Sequence, residues 1–269
     1  MQWSPQQYLR YTPARVLAVL DLVARLVPKF DPAANGRPQR IADLGCGTGL
    51  STDVLAGQWP QAEVCGVDSS FEMLAAARKS LPGLQFIEAD IRTWAAQPGA
   101  PWDLVFANSS LQWIPDHAAL LPQLLARVAP GGALAFQVPA SVGVPVGQIP
   151  RDLANRPEWR EYFPPGAIQE WNAASLSAYY DALAPLARHL ELWDTEYLQI
   201  MPTHLDILEW YRGSGLRPFL EALPDEAARV RFCDSYFLRL QAAYPKQADG
   251  KVLFPFTRRF VIAVAGVVS

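Results

Sequence analysis

The chain has 269 residues and a formal net charge of −3, with 51% hydrophobic and 18% charged types. That balance excludes a disordered, fibrous or coiled-coil chain, and the length suffices for a core without disulfide or metal staples. The absence of a basic excess argues against a nucleic-acid backbone or an anionic membrane as the main partner, but leaves room for small anions held by a few arginines.

The three cysteines, Cys46, Cys65 and Cys233, form no disulfide framework. His117, His189 and His204 have no metal-ligand spacing, so no metal is expected. The apolar runs at 16–27 and 260–268 fall short of the roughly 20 residues that span a bilayer. The first residues lack a charged-then-apolar signal layout, which predicts a cytoplasmic protein.

Residues 14–27 space their apolar side chains as an amphipathic helix. A loop through Pro32, Gly36 and Pro38 follows. Strands and helices then alternate: strand 41–44, helix 50–58, strand 63–67, helix 70–80, strands 84–88 and 104–107, helix 117–128, and strand 133–138 after the turn Pro130-Gly131-Gly132. Short strands apolar on both faces, separated by helices, predict an α/β fold with a parallel sheet covered on both sides. Ligands of such sheets bind at the carboxyl ends of the strands.

The alternation breaks after Pro139. Residues 140–170 are rich in Pro and Gly, 173–190 reads as a helix, and 190–200 and 259–267 read as strands. The intervening 203–246 is helical and carries Trp210, Tyr211, Phe219, Phe232, Tyr236, Phe237 and Tyr244. Those aromatics read either as ordinary core packing or as a cap over the ligand edge of the sheet.

The strongest signal is Asp43-Leu44-Gly45-Cys46-Gly47-Thr48-Gly49, between an apolar strand and a helix. Glycines there permit a tight turn and close approach of a ligand to the backbone, and the helix N-terminus attracts an anionic group. Alone, such a loop could serve a dinucleotide. The dinucleotide spacing, however, needs a glycine where Leu50 stands, and Asp43 would oppose a pyrophosphate. S-adenosylmethionine, with its ammonium and sulfonium, suits that acid.

Asp68 ends the second strand 23 residues after Gly45, close to the offset at which an acid reaches a ribose diol. Asp90 follows the third strand, where a carboxylate could accept the exocyclic amine of adenine. Either acid alone would read as a helix cap or turn former. The stretch Asn108-Ser109-Ser110-Leu111-Gln112-Trp113 ends the fourth strand, beside the place for the methionine part.

Together, Asp43–Gly49, Asp68, Asp90 and 108–113 resemble the S-adenosylmethionine-dependent methyltransferases of seven-stranded Rossmann-like fold. The resemblance implies strand order 3-2-1-4-5-7-6 with the last strand antiparallel, helices on both faces and a helical cap. It implies one domain over 1–269: a core at about 30–140 plus 188–202 and 251–269, an N-terminal arm at 1–29, and cap elements at about 141–187 and 203–250. Cofactor contacts are expected from Asp43, Gly45, Gly47, Gly49, Asp68, Ser69, Met73, Asp90, Ile91, Asn108 and Ser109.

A closer resemblance runs the whole chain through Trp3-Ser4-Pro5, Tyr8-Leu9, Val67-Asp68-Ser69-Ser70, Phe106-Ala107-Asn108, Leu111-Gln112-Trp113, Pro115-Asp116-His117, Met201-Pro202, His204 and Gly215-Leu216-Arg217-Pro218. It points to a branch of that family which esterifies one carboxylate of a small tricarboxylic acid. Two other readings stay open: methylation of another small or carrier-bound acid, and a non-catalytic cofactor-binding protein.

A carboxylate acceptor is ionised at neutral pH, so no general base is expected. His117, opening a helix after Pro115-Asp116, reads as a surface or capping residue. Positioning falls to Trp113 and Arg217, and substrate donors are expected among Tyr8, Tyr11, Trp113, Tyr180, His204, Arg217 and Arg258. Arg217 reads equally as an exposed surface arginine. Arg92 stands two residues past Asp90 and reads as a neighbour of adenine or as idle.

Overall fold

The computed structural model describes residues 12–30, 36–140, 144–168 and 171–266. Helix α1 (Thr12–Leu26) precedes β1 (Arg40–Leu44), α2 (Leu50–Gln58), β2 (Glu63–Asp68), α3 (Phe71–Ser80), β3 (Gln85–Glu88), α4 (Ile91–Ala96) and β4 (Trp102–Asn108). Next come a 3-10 turn at Leu111–Trp113, α5 (His117–Ala126), β5 (Val128–Pro139), α6 (Pro145–Ala154), α7 (Leu176–Leu183) and β6 (Ala187–Met201). Helices α8 (His204–Arg212), α9 (Arg217–Ala222) and α10 (Glu226–Ala243) then lead to β7 (Val252–Ala265).

The seven strands form one sheet in the order β3-β2-β1-β4-β5-β7-β6, as the resemblance implied. Strands β1, β2, β3, β4 and β5 pair in parallel, whereas β7 runs antiparallel to β5. Ile41, Ala42, Leu44, Val67, Leu104, Val105 and Phe106 are fully buried, which explains why the central strands read as continuous apolar runs. The expectation of strands apolar on both faces fails at the sheet edges. Strand β3 is largely exposed, and β6 is nowhere buried before Met201 and alternates between half-buried and exposed from Trp193 onward, because a strand at the sheet edge is covered less than the central ones.

Proline explains two of the other departures. The expected helix 173–190 is only α7, capped by Ser175 Oγ accepting from Ala178 N at 3.1 Å, and Pro185 separates it from β6. Helix α6 lies in the Pro- and Gly-rich stretch 140–170, to which the sequence assigns no element, with Pro145 in its first turn where a missing N–H costs nothing. Strand β7 begins at Val252, ahead of the expected 259, despite Pro255. Strand β5 begins before Pro130-Gly131-Gly132 rather than after it. The register with β4 shifts there, and Gly131 takes a φ of +81° to accommodate it.

Two compact units are distinguished. One comprises the chain up to Pro139, Asn172–Thr195 and the chain from Arg258 onward; the other comprises Ala140–Trp171 and Glu196–Thr257. In the second unit, Phe232 packs between Trp159 and Phe219 at ring separations of 5.1 and 6.2 Å, and Tyr211 stacks on Tyr236. Tyr236 Oη donates to Val146 O at 3.0 Å and Tyr244 Oη accepts from Val146 N at 3.1 Å, fastening the first turn of α6. Most of the aromatics of 203–246 are therefore core of this unit. Among the described residues, no helix is long and apolar enough to cross a membrane, and no group of three His, Cys, Asp or Glu is placed to hold a metal ion.

Candidate functional site

The turn leaving β1 is built from three left-handed glycines: Gly45, Gly47 and Gly49 have φ of +68°, +57° and +86°. Gly45 N and Cys46 N both donate to Val67 O, at 2.7 and 3.0 Å, so the turn hangs on the end of β2. A Cβ on Gly45 would lie 2.2 Å from Ser110 Cβ, whereas one on Gly47 would meet nothing within 4 Å. Gly45 thus serves close packing, and Gly47 leaves the backbone open to an approaching ligand. Gly49 is the N-cap of α2.

Asp43 is fully buried beneath this turn. Its Oδ2 accepts from Ser51 Oγ at 2.8 Å and Thr52 Oγ1 at 2.7 Å, while its Oδ1 is buried with no hydrogen-bond partner. Burial pushes its pKa up to about 6; the two hydroxyls oppose that and the nearby Asp68 charge adds to it. Asp68 Oδ2 accepts from Gly47 N at 2.8 Å, and its Oδ1 accepts from Ser70 N at 2.9 Å. Burial raises this acid too, against the backbone N–H bonds that favour its anion.

Around the turn, Ser69 is exposed, and Met73 is buried with its N–H on Ser70 Oγ, the N-cap of α3. Ile91 comes within 3.6 Å of a Cβ built on Gly45. Asp90 caps α4 and is gripped by Arg92, whose Nε and Nη2 reach its two oxygens at 3.0 and 2.9 Å. That pairing lowers the Asp90 pKa. It also gives Arg92 a task that the sequence left open.

At the ends of β4 and β5 lies a polar set that includes two glutamines not singled out as site residues in the sequence. Gln137 Nε2 donates to Asn108 Oδ1 and, at 2.6 Å, to Ser109 Oγ. Arg258 Nη1 donates to the same Ser109 Oγ at 2.8 Å. Gln112 Nε2 donates to Ser109 O at 2.8 Å, and Gln112 O accepts from Asn172 N. The one available signal for Gln137 was an uncharged amide inside the apolar run of β5.

The expected substrate residues are distributed between the units. Trp113, Tyr180 and Arg258 belong to the first, with Tyr180 exposed and Arg258 buried; His204 and Arg217 belong to the second. Tyr8 and Tyr11 lie outside the described residues. His204 is buried, with Nε2 on Tyr244 O at 2.6 Å. Arg217 is not the surface arginine of the alternative reading: its side chain is largely buried and its Nε donates to Glu221 at 2.7 Å.

His117 corrects an expectation. It is buried rather than at the surface, and the cap of α5 is Asp116. Its Nε2 lies 2.8 Å from Leu111 O and its Nδ1 2.9 Å from Tyr179 Oη. A carbonyl only accepts, so Nε2 carries the proton and Nδ1 accepts from the tyrosine. Burial lowers the His117 pKa, which holds the ring neutral.

Comparison with known proteins gives matches over most of the chain. A methyltransferase domain family model matches residues 8–198. Trans-aconitate 2-methyltransferase from Azoarcus sp. (strain BH72) is 47% identical over 97% of this chain and 98% of its own length. The protein of that name from Rhodopseudomonas palustris (strain BisB18) is 42% identical over the same shares. Among solved structures, phosphoethanolamine N-methyltransferase 2 of Haemonchus contortus, in complex with phosphomonomethylethanolamine and S-adenosylhomocysteine, matches with a TM-score of 0.55 and 18% identity. That match covers 93% of this chain and about half, 52%, of the worm protein, and it speaks for the fold alone.

Proposed function

The chain belongs to the trans-aconitate 2-methyltransferase family, and from that premise we propose that it transfers the methyl group of S-adenosylmethionine to a carboxylate of trans-aconitate, giving a monomethyl ester. The observation that carries the reading is 47% identity spanning 97% of the chain, on a sheet whose first three strand ends bear the expected acids and glycines and whose fourth ends in Asn108 and Ser109. The acceptor is read as a small free acid met in the cytoplasm, with no nucleic acid involved.

The residues at the glycine turn suit the methyl donor. Asp43 presents a buried carboxylate oxygen without a partner, which favours a cation nearby. Gly47 keeps its outer side clear, and Asp68, clamped to Gly47 N, retains lone pairs for hydroxyl donors. Met73, Ile91, Ser69 and Asp90 are read as further cofactor contacts, the first two from the apolar core beside the strand ends. When bound, the cofactor supplies an electrophilic methyl carbon on a sulfonium.

The chain's own work is to bind, align and dehydrate. An acceptor carboxylate, with a reference pKa near ~4, needs no proton removed at neutral pH. His117, neutral and with both nitrogens engaged, accords with a mechanism that has no histidine base. Arg217, Arg258, Trp113, Tyr180, His204, Tyr8 and Tyr11 remain the proposed substrate donors. Holding the anion in line with the methyl carbon and away from water supplies the rate gain.

Incubating the purified chain with methyl-labelled S-adenosylmethionine and a panel of di- and tricarboxylic acids tests this. Label should enter trans-aconitate and be released by mild base. A chain that binds the cofactor yet labels none of the acids overturns the reading; label in a different acid moves the substrate and keeps the chemistry.

A further inference from the structure

Asn108, the last residue of β4, is in register with Gln137 of β5, and Arg258 of β7 pairs with Pro139, two residues along. Strand alternation therefore puts Asn108, Gln137 and Arg258 on one face of the sheet. Ser109 then leaves β4 with a φ of +53°, a backbone state that non-glycine residues seldom adopt. Its N–H stays on Gln137 O at 3.0 Å, and its Oγ sits between Gln137 Nε2 and Arg258 Nη1.

Both of those neighbours are donors. A hydroxyl has two acceptor lone pairs and one hydrogen, so with the lone pairs taken up the hydrogen of Ser109 is left to donate elsewhere. Gln137 is 1% exposed and gives its second amide hydrogen to Asn108, which fixes the amide in place. Its Oε1 is buried without a partner. A buried amide half satisfied in an apolar strand costs stability, and orienting Ser109 is a reason to keep it. Arg258, 7% exposed, sets a guanidinium beside the Ser109 hydroxyl, whose hydrogen is left to donate. A hydroxyl donor next to a guanidinium matches a carboxylate.

We infer that Ser109 and Arg258 form a carboxylate-binding subsite, with Gln137 as the positioning residue that holds the Ser109 hydroxyl as a donor. The subsite deepens the methyl-transfer reading and rests on it for the identity of the anion. Two carboxylates share the required chemistry: a non-reacting carboxylate of the tricarboxylate acceptor, and the amino-acid carboxylate of the methyl donor.

The test uses S109A, which removes one oxygen, and Q137E, which turns the Nε2 donor into an acceptor and so draws the Ser109 hydrogen inward. The readouts are KM for trans-aconitate at saturating S-adenosylmethionine, kcat, and the Kd of S-adenosylhomocysteine by calorimetry. Urea unfolding of each variant checks the fold. Both variants should raise one of the two constants at least tenfold while kcat stays within about threefold. A rise in KM assigns the subsite to the acceptor, and a rise in Kd assigns it to the cofactor. S109A with both constants within twofold of wild type overturns the inference, as does a fall in kcat alone. Wild-type protein that forms no ester from any acid defeats the proposed function instead. Calorimetry of trans-aconitate and S-adenosylhomocysteine on wild type and S109A then decides the subsite separately: weakening of either by S109A upholds it, and no weakening overturns it.

Discussion

The backbone N–H of Gly47 donates to Asp68 Oδ2 at 2.8 Å, which ties the open point of the glycine turn to the carboxyl end of the neighbouring strand. Asp68 thereby shapes the turn and stays available to a ligand. D68A should weaken S-adenosylmethionine binding by about 1.5–3 kcal/mol, the scale of losing hydrogen bonds to a charged group. D68N keeps the Gly47 bond through its carbonyl oxygen and should lose less. Calorimetry that finds D68A equal to wild type removes Asp68 from the site.

Much of this arrangement was legible beforehand. The strand-and-helix alternation and the glycine turn follow from neighbours within a few residues, and the offset of Asp68 follows from the length of one strand-helix-strand unit. Helix α6 and the split between α7 and β6 were not legible, since Pro145, Pro150 and Pro185 permit a helix start, a helix interior or a break depending on tertiary context. Gln137 escapes notice in the sequence and His117 is misread there as a surface or capping residue for another reason. Periodicity reports which face is apolar, but a buried polar side chain is fixed by partners such as Asn108 and Tyr179, 29 and 62 residues away in the chain.

The glycines of the turn should respond unequally to a methyl group. G47A meets open space and bears only the cost of its left-handed backbone, about 1–2 kcal/mol. G45A bears the same cost and drives its Cβ to 2.2 Å from Ser110 Cβ, where overpacking adds about 1–3 kcal/mol. Urea denaturation should rank the stabilities as wild type, then G47A, then G45A. Equal loss in the two variants contradicts the packing role assigned to Gly45.

Asp43 should give the apo protein and cofactor binding opposite responses to pH. Unfolded, its carboxyl titrates near ~4; folded, it titrates at about 6 because burial disfavours the anion. The folded state therefore holds the extra proton between those values. Its contribution to stability is full below pH ~4 and declines through pH 6, by about 3 kcal/mol in all. A cationic ligand needs the ionised form, so cofactor affinity should climb from pH 5 to 7 with proton release on binding below pH 6. D43N should flatten that climb and bind weakly throughout. A wild-type affinity that is level from pH 5 to 7 refutes the link between Asp43 and the cation.

His117 separates a structural histidine from a catalytic one. Its ring joins Leu111 O, in the turn after β4, to Tyr179 Oη on α7, and stacks on the Tyr179 ring at 5.6 Å. H117A leaves a buried carbonyl and a buried hydroxyl short of partners, so it should lower stability by about 2–4 kcal/mol. H117Q, able to donate to Leu111 O, should recover part of that loss. Loss of a general base would cut kcat by about 100- to 10,000-fold; with a carboxylate acceptor, H117Q should stay within about tenfold of wild type. The pH response carries its own sign. Burial lowers the folded pKa of His117 below the unfolded value near ~6.5, so its contribution to stability is full above that value. It is lost as pH falls, because the unfolded chain takes the proton first. Wild type should thus lose stability relative to H117Q on acidification from pH 7 to 5. If H117Q instead keeps wild-type stability across that range while kcat collapses, the ring serves the chemistry and the structural role is refuted.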